Sequence, residues 1–315
     1  MPTELEREAC SLSVTLETLQ KQISSGEDLS SIVRTMKALA ATSVRQYEKA
    51  AESLDDYYHT VELGLSVVLS SSLEIPVNSN INQQKPSLLL IFGSDHGLAG
   101  RFNEQIVSFA LSDYRNEGHE EWGDLSAEGI VVGIGEQVIN RVRAAGTDLA
   151  QKFNMPTSIS AITPFIQLLL ERIEEWRSQK GVERVLLFYN RPQTGGFSPR
   201  AETLLPVSLS HLRKTRLKWQ SRSLPTFTMS ADRLVSALLR QYFFVSLYRA
   251  CALSLAAENT SRLAAMQAAE KNINERLDEL KTAYQHERQA AITEELLDII
   301  SGFKAVRRSL NDDMP

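Results

Sequence analysis

After Pro2 the chain has no proline until Pro76, and none lies between Pro225 and Pro315. Proline inside a helix costs ~3 kcal/mol through its missing N–H and ring clash, so both stretches are free to run as uninterrupted helices. At 1.5 Å per residue, either could extend on the order of 100 Å. An ordinary domain is only a few tens of ångströms across. The two ends are therefore expected to form a rod or lever.

Their apolar patterns agree. Leu12, Leu16, Leu19, Ile23 and Gly26, then Val33, Met36, Ala40, Ser43, Tyr47, Ala50, Leu54, Tyr57 and Val61, recur at spacings of three and four. This is a coiled-coil seam that needs a helical partner along its length, and its small residues permit close backbone approach. Gly26, within SSGED, weakens the helix locally, and Asp28 or Ser30 is placed to restart it as a cap, so a kink or break is expected there. At the other end, Leu234, Leu238, Tyr242 and Val245 open a second stripe. It continues through an alanine-rich section, Ala256 to Ala269, to Ile273, Leu277, Leu280, Tyr284, Leu296, Ile299, Phe303 and Val306. Arg288 falls on this seam where an apolar residue would close a pair, which suits a helix that meets something other than its partner there.

Between the stripes the pattern changes. Leu88–Phe92, Ile130–Ile134 and Val185–Tyr189 are short apolar runs, alternating with helical segments near 103–117, 135–145 and 164–179, and a last strand is expected at Leu204–Leu209. Such alternation implies βαβ units. The expected fold is thus α/β, a central Rossmann-like, mostly parallel sheet, plus a long antiparallel coiled coil of the N- and C-terminal helices. Boundaries are placed at 1–72 for the first shaft helix, 73–229 for the globular foot domain with its linker Ser70–Pro86, and 230–315 for the second shaft helix.

Composition narrows the function. A net charge of −5 argues against a dedicated nucleic-acid binder. Cys10 and Cys251 lie far apart and beside no metal or redox motif, which fits a reducing compartment. No run approaches the ~20 apolar residues of a membrane span, and MPTELEREAC does not read as a signal peptide, so a soluble protein is expected. Gly93–Gly100, GSDHGLAG, occupies the place of a phosphate loop but is neither GxGxxG nor a P-loop. It reads as a strand-to-helix turn, with Asp95 as a turn or cap residue rather than an acid–base partner of His96. Gly133-Ile-Gly135 is too short to claim a nucleotide, and NRPQTGGFSPR reads as a loop. The basic run Arg213, Lys214, Arg216, Lys218 and Arg222 with Trp219 reads as a solvated or partner-facing surface. No catalytic residues, cofactor or metal site are expected.

Two clusters stand out: Ser31–Arg45 (SIVRTMKALAATSVR), and AAENTSRLAAMQAA followed by AYQHERQAAITEELLDIISG. With IFGSDHGLAGRFN, LLFYNRP and LLPV, they resemble the gamma subunit of F-type rotary ATP synthases over all but roughly the first dozen residues. The resemblance implies a non-catalytic central-stalk rotor, coupling proton or sodium transport to ATP synthesis or hydrolysis. Its partners would be the alpha and beta subunits, epsilon and the c-subunit ring, with indirect membrane association at the cytoplasmic face of the cell (inner) membrane. By position, it implies contacts to the alpha/beta ring from Met36, Lys37, Glu258, Arg262, Arg288, Gln289, Thr293 and Glu295, with the apolar end Ile299–Leu310 running in a bearing. Val44, Ala99, Ala257-Glu258 and the charged tail after Phe303 depart from the family pattern and point toward a divergent or secondary ATPase type. The competing readings are a stand-alone α/β enzyme with a helical dimerisation arm and a coiled-coil scaffold on nucleic acid.

Overall fold

A computed structural model describes residues 4–71, 86–115, 129–207 and 225–312. The linker at 72–85 and the basic run Arg213–Arg222 with Trp219 lie outside them, as does the 208–209 end of the expected last strand. The chain divides into two compact units: the first combines Met1–Ala38 with Met266–Pro315, and the second is Leu39–Ala265.

In the first unit α1 (Glu4–Glu52) and α6 (Ala231–Asp312) contribute their distal segments. Gly26 meets Leu277, Ser30 meets Asn274 and Lys37 meets Glu270, so rising numbers on one helix pair with falling numbers on the other. The pairing is antiparallel, as the two stripes require. Gly26 does not break α1. It makes room: a Cβ there would stand 2.8 Å from Leu277 Cδ2. Alanine at position 26 gains ~1 kcal/mol of helix propensity but displaces Leu277, and should leave thermal stability within ~1 kcal/mol of the parent. Gly26→Ile, whose branched carbons cannot avoid Leu277, should lose ~1–3 kcal/mol by overpacking. Calorimetry of the full-length variants checks the pair of values.

In the second unit α1 ends at Glu52 and α2 (Asp55–Ser71) takes over, so the single helix expected over 1–72 is interrupted. Neither proline nor glycine causes this. Ser53 turns its hydroxyl back onto the Ala50 carbonyl at 2.9 Å, and Asp55 and Asp56 supply acidic side chains to the first turn of α2, where they favour a new helix start. The apolar period continues through the break, which is why the sequence conceals it. α2 is fastened to α6: Val61, Leu65 and Leu69 pack with Leu238, Leu239 and Tyr242. Arg249 pairs with Asp55 at 3.3 Å and lies over the Tyr58 ring.

The sheet has the order β3-β2-β1-β4-β5, built from β1 (Ser87–Phe92), β2 (Gly129–Ile134), β3 (Gln151–Phe153), β4 (Arg184–Gln193) and β5 (Gly196–Leu205). All neighbours are parallel except the β4–β5 pair. Every residue of β1 is buried, as a strand covered on both faces demands. Leu88, Leu90 and Phe92 face α5 (Ile159–Lys180) together with Tyr47 of α1 and Leu247–Ala256 of α6. Leu89 and Ile91 face α3 (Phe102–Arg115) and α4 (Glu136–Ala144).

Three local expectations are corrected. NRPQTGGFSPR is a β-hairpin, in which ten-residue strands turn over Thr194-Gly195 with Gly195 at φ 86°; prolines at 192 and 199 disguised it as a loop. β5 accordingly begins eight residues before Leu204. α5 starts at Ile159 rather than at 164, because Pro164 sits in its second turn and forfeits only one backbone bond.

Candidate functional site

Two of the motifs singled out in the sequence, the Ser94–Gly100 turn and the ENTSR segment of α6, meet within the second unit. Ser94–Gly100 leaves β1 as a turn fixed on every side. Asn103 accepts the Ser94 N–H at 3.0 Å and donates to the Ser94 hydroxyl at 2.8 Å, and that hydroxyl donates to the His96 carbonyl at 2.9 Å. Asp95 accepts the backbone N–H of Glu136 at 3.1 Å and of Met155 at 3.0 Å. Its carboxylate therefore caps the α4 N-terminus and ties the segment just after β3 to the turn. Ser261 of α6 donates to the Ala99 carbonyl at 2.6 Å, and Ala257 packs with Ala99, Phe102 and Phe197. The ENTSR signature is thus the surface that holds the turn.

Glu258 lies inside this packing at 5% exposure and accepts a 2.5 Å hydrogen bond from Arg262 one turn on. Burial pushes its carboxyl above the usual range, and the Arg262 guanidinium opposes the rise. Asn259 accepts a second hydrogen bond from Arg262 at 3.3 Å. The Cys251 thiol, fully buried about two turns earlier on α6, is also pushed up by desolvation, so it is an inert core group.

The other expected contact residues belong to the first unit. Met36 and Lys37 are half-buried, and the Lys37 ammonium is hydrogen-bonded to Glu270. Arg34 reaches the same carboxylate at 3.5 Å, and Lys37, followed by Arg34, holds the Glu270 carboxyl below its usual range. Arg288, Gln289, Thr293 and Glu295 are exposed, about five to seven turns along α6 from Glu270. Helical spacing sets them on two adjacent stripes with Ile292, Leu296, Ile299 and Ile300, all large apolar side chains 47–60% exposed. Thr293 is pinned to the Gln289 carbonyl at 2.8 Å. Among the described residues Arg288 forms no ion pair, so its donors are free to meet another protein.

Sequence reasoning missed Glu270, and it gave no individual role to Arg34 or Ser261 within the clusters it singled out. Each acts across a helix–helix or helix–turn contact whose register no single-sequence spacing reveals. Among the described residues no group of three or more His, Cys, Asp or Glu is placed to hold a metal, and no helix is long and apolar enough to cross a membrane.

The described residues thus form a mostly parallel sheet domain in a chain whose N- and C-terminal helices pair antiparallel with each other. Residues 15–306 match the family model described as ATP synthase, and the chain belongs to that family. Relatives carrying the description ATP synthase gamma chain include those of Polaromonas sp., 28% identical over 91% of this chain and 98% of the relative, and Clostridium kluyveri, 25% identical over 93% and 98%. The fold is shared with a chain from the OSCP/F1/c-ring structure of the Euglena gracilis mitochondrial ATP synthase, with TM-score 0.61, 14% identity, and coverage of 96% of this chain and 97% of that one. A chain from the central stalk/c-ring structure of the Tetrahymena thermophila enzyme is similar at TM-score 0.52 and 20% identity, covering 76% and 99%.

Proposed function

We propose that this chain is the gamma, central-stalk rotor subunit of an F-type ATP synthase. It transmits torque between an ion-translocating c-subunit ring and a catalytic ring of alpha and beta subunits, beside epsilon, coupling proton or sodium transport to ATP synthesis or hydrolysis. It is non-catalytic itself and stands peripherally at the cytoplasmic face of the cell membrane. Residues 1–72 and 230–315 serve as the shaft and 73–229 as the foot. The reading rests on one observation: the family match covers both terminal helices and the sheet domain together.

Within that reading the exposed Arg288, Gln289, Thr293 and Glu295 meet the surrounding ring, with Met36 lower on the shaft. Glu258 serves from inside by holding Arg262. An asymmetric shaft biases otherwise identical sites toward different conformations only through such differential contacts.

The test is reconstitution with the alpha, beta, epsilon and membrane-ring partners. ATP-driven ion pumping should require this chain, and the chain alone should neither bind nucleotide tightly nor hydrolyse it. Arg288→Ala should reduce pumping on the order of ten-fold, the weight of one charge-assisted hydrogen bond, with an unchanged circular-dichroism spectrum. Nucleotide turnover by the isolated chain would instead favour a stand-alone enzyme.

A further inference from the structure

Beyond its outward contacts, the first unit carries a polar band across its helix seam. Ser30 donates to Asn274 at 3.5 Å, and Arg34 and Lys37 share Glu270, whose side chain keeps only 17% exposure. Farther along, Glu27 pairs with Lys281 at 2.7 Å. Beside the band, Leu277 fills the space left by Gly26. Apolar seams of uniform shape are nearly indifferent to axial slips, whereas a polar or charged seam position specifies one register. Sliding α6 by one turn, ~5.4 Å, toward the C-terminus of α1 would draw Glu270 away from both cations, and toward its N-terminus would take it from Lys37 and leave it only Arg34. It would also bring Leu277 level with Gln22 or Ser30 rather than glycine.

We infer that Glu270, held by Lys37 and Arg34, is a register clamp that stops the paired helices from sliding along each other under load. Lys37 is then a positioning residue inside the shaft, acting on partners through α6. Arg34 is 69% exposed and 3.5 Å away, so it is the auxiliary cation, while Lys37, at 33%, makes the closer contact. The clamp follows from the helix pairing alone; its consequence for coupling rests on the proposed rotor function.

The experiment uses the full chain with Cys10→Ser, leaving Cys251 buried and unreactive. Ser30→Cys is paired with Asn274→Cys as the in-register reporter, and with Lys271→Cys or Asp278→Cys as reporters displaced by about one turn. With the clamp intact, mild oxidation should cross-link 30–274 at least ten-fold faster than either displaced pair. Glu270→Lys should lower that preference at least three-fold. The triple exchange R34E/K37E/E270K should restore it, which a role in simple helix stability would not do. Glu270→Gln, which adds no bulk or repulsion, should give an intermediate loss. In the reconstituted assembly, ions pumped per ATP should fall at least two-fold in Glu270→Lys and recover in the triple exchange. An unchanged cross-linking preference in Glu270→Lys, or no recovery in the triple exchange, overturns the clamp. A shifted register with unchanged pumping overturns its role in coupling. Failure of the parent chain to support pumping counts against the rotor function, while the cross-linking arm still decides the clamp.

Discussion

Gly135→Ala should lower the stability of the second unit by about 3 kcal/mol or more, one of the two largest effects expected from a single substitution here. Gly135 precedes α4 with φ 102° and ψ 131°, a combination that side-chain-bearing residues adopt at a cost of order 1–3 kcal/mol. A Cβ at this position would also stand 2.7–2.8 Å from the Ser94 N, C and O atoms. Those atoms are backbone and cannot rotate away. Gln137 donates to the Ser94 carbonyl at 3.0 Å and Gly135 to the Phe153 carbonyl at 2.8 Å, so relief of the clash would break the links among β1, β3 and α4. Gly146→Ala is the control. Its φ is 75° and nothing lies within 4 Å of its added carbon, so it should lose only the ~1–2 kcal/mol of left-handed backbone strain. Chemical denaturation of both variants separates the effects, and equal losses would mean that the Ser94 approach is unimportant.

That glycine was visible in Gly133-Ile-Gly135, yet its role could not be read there. The sequence pattern finds elements whose signal is local. The proline-free ends became α1 and α6, and the runs Leu88–Phe92, Ile130–Ile134 and Val185–Tyr189 became the three central strands, while Asp95 caps the distant α4 rather than the helix that follows its own turn. What escaped depends on partners distant in the chain. Gly26 looks like a helix breaker until Leu277 occupies its empty side. β3 has only three residues and no apolar run, so only its pairing with β2 identifies it. Ser53 and Leu54 interrupt a stripe whose apolar period continues on both sides. The charged residues of the signatures were found but not their directions: Glu258 turns into the protein, Lys37 toward α6 and Arg288 outward. Direction is set by helix pairing, which composition and spacing constrain only to a face.

Arg262→Ala should destabilise the chain by ~3–5 kcal/mol at neutral pH, because it leaves a buried carboxylate without its counter-charge. Glu258 is 5% exposed and Arg262 retains 14% side-chain exposure, so water cannot replace the lost partner. The sign of the pH dependence follows from the direction of the shift. Burial raises the folded-state proton affinity of Glu258 above its unfolded value, so this group's contribution is fully present below the unfolded value near ~4.3 and is lost as pH rises through the folded one. Removing Arg262 deletes the main opposing influence and carries that loss further toward neutrality. The stability gap between parent and Arg262→Ala should therefore widen from pH 4.5 to pH 7.5. Glu258→Gln combined with Arg262→Ala should recover most of it, since no buried charge then remains. A gap independent of pH would assign the damage to lost packing of the arginine stem. The distinction bears on function: a pumping defect in Arg262→Ala that the added Glu258→Gln repairs arises from a loosened joint between α6 and the Ser94–Gly100 turn. A defect that persists in the double variant arises from a missing contact to the ring.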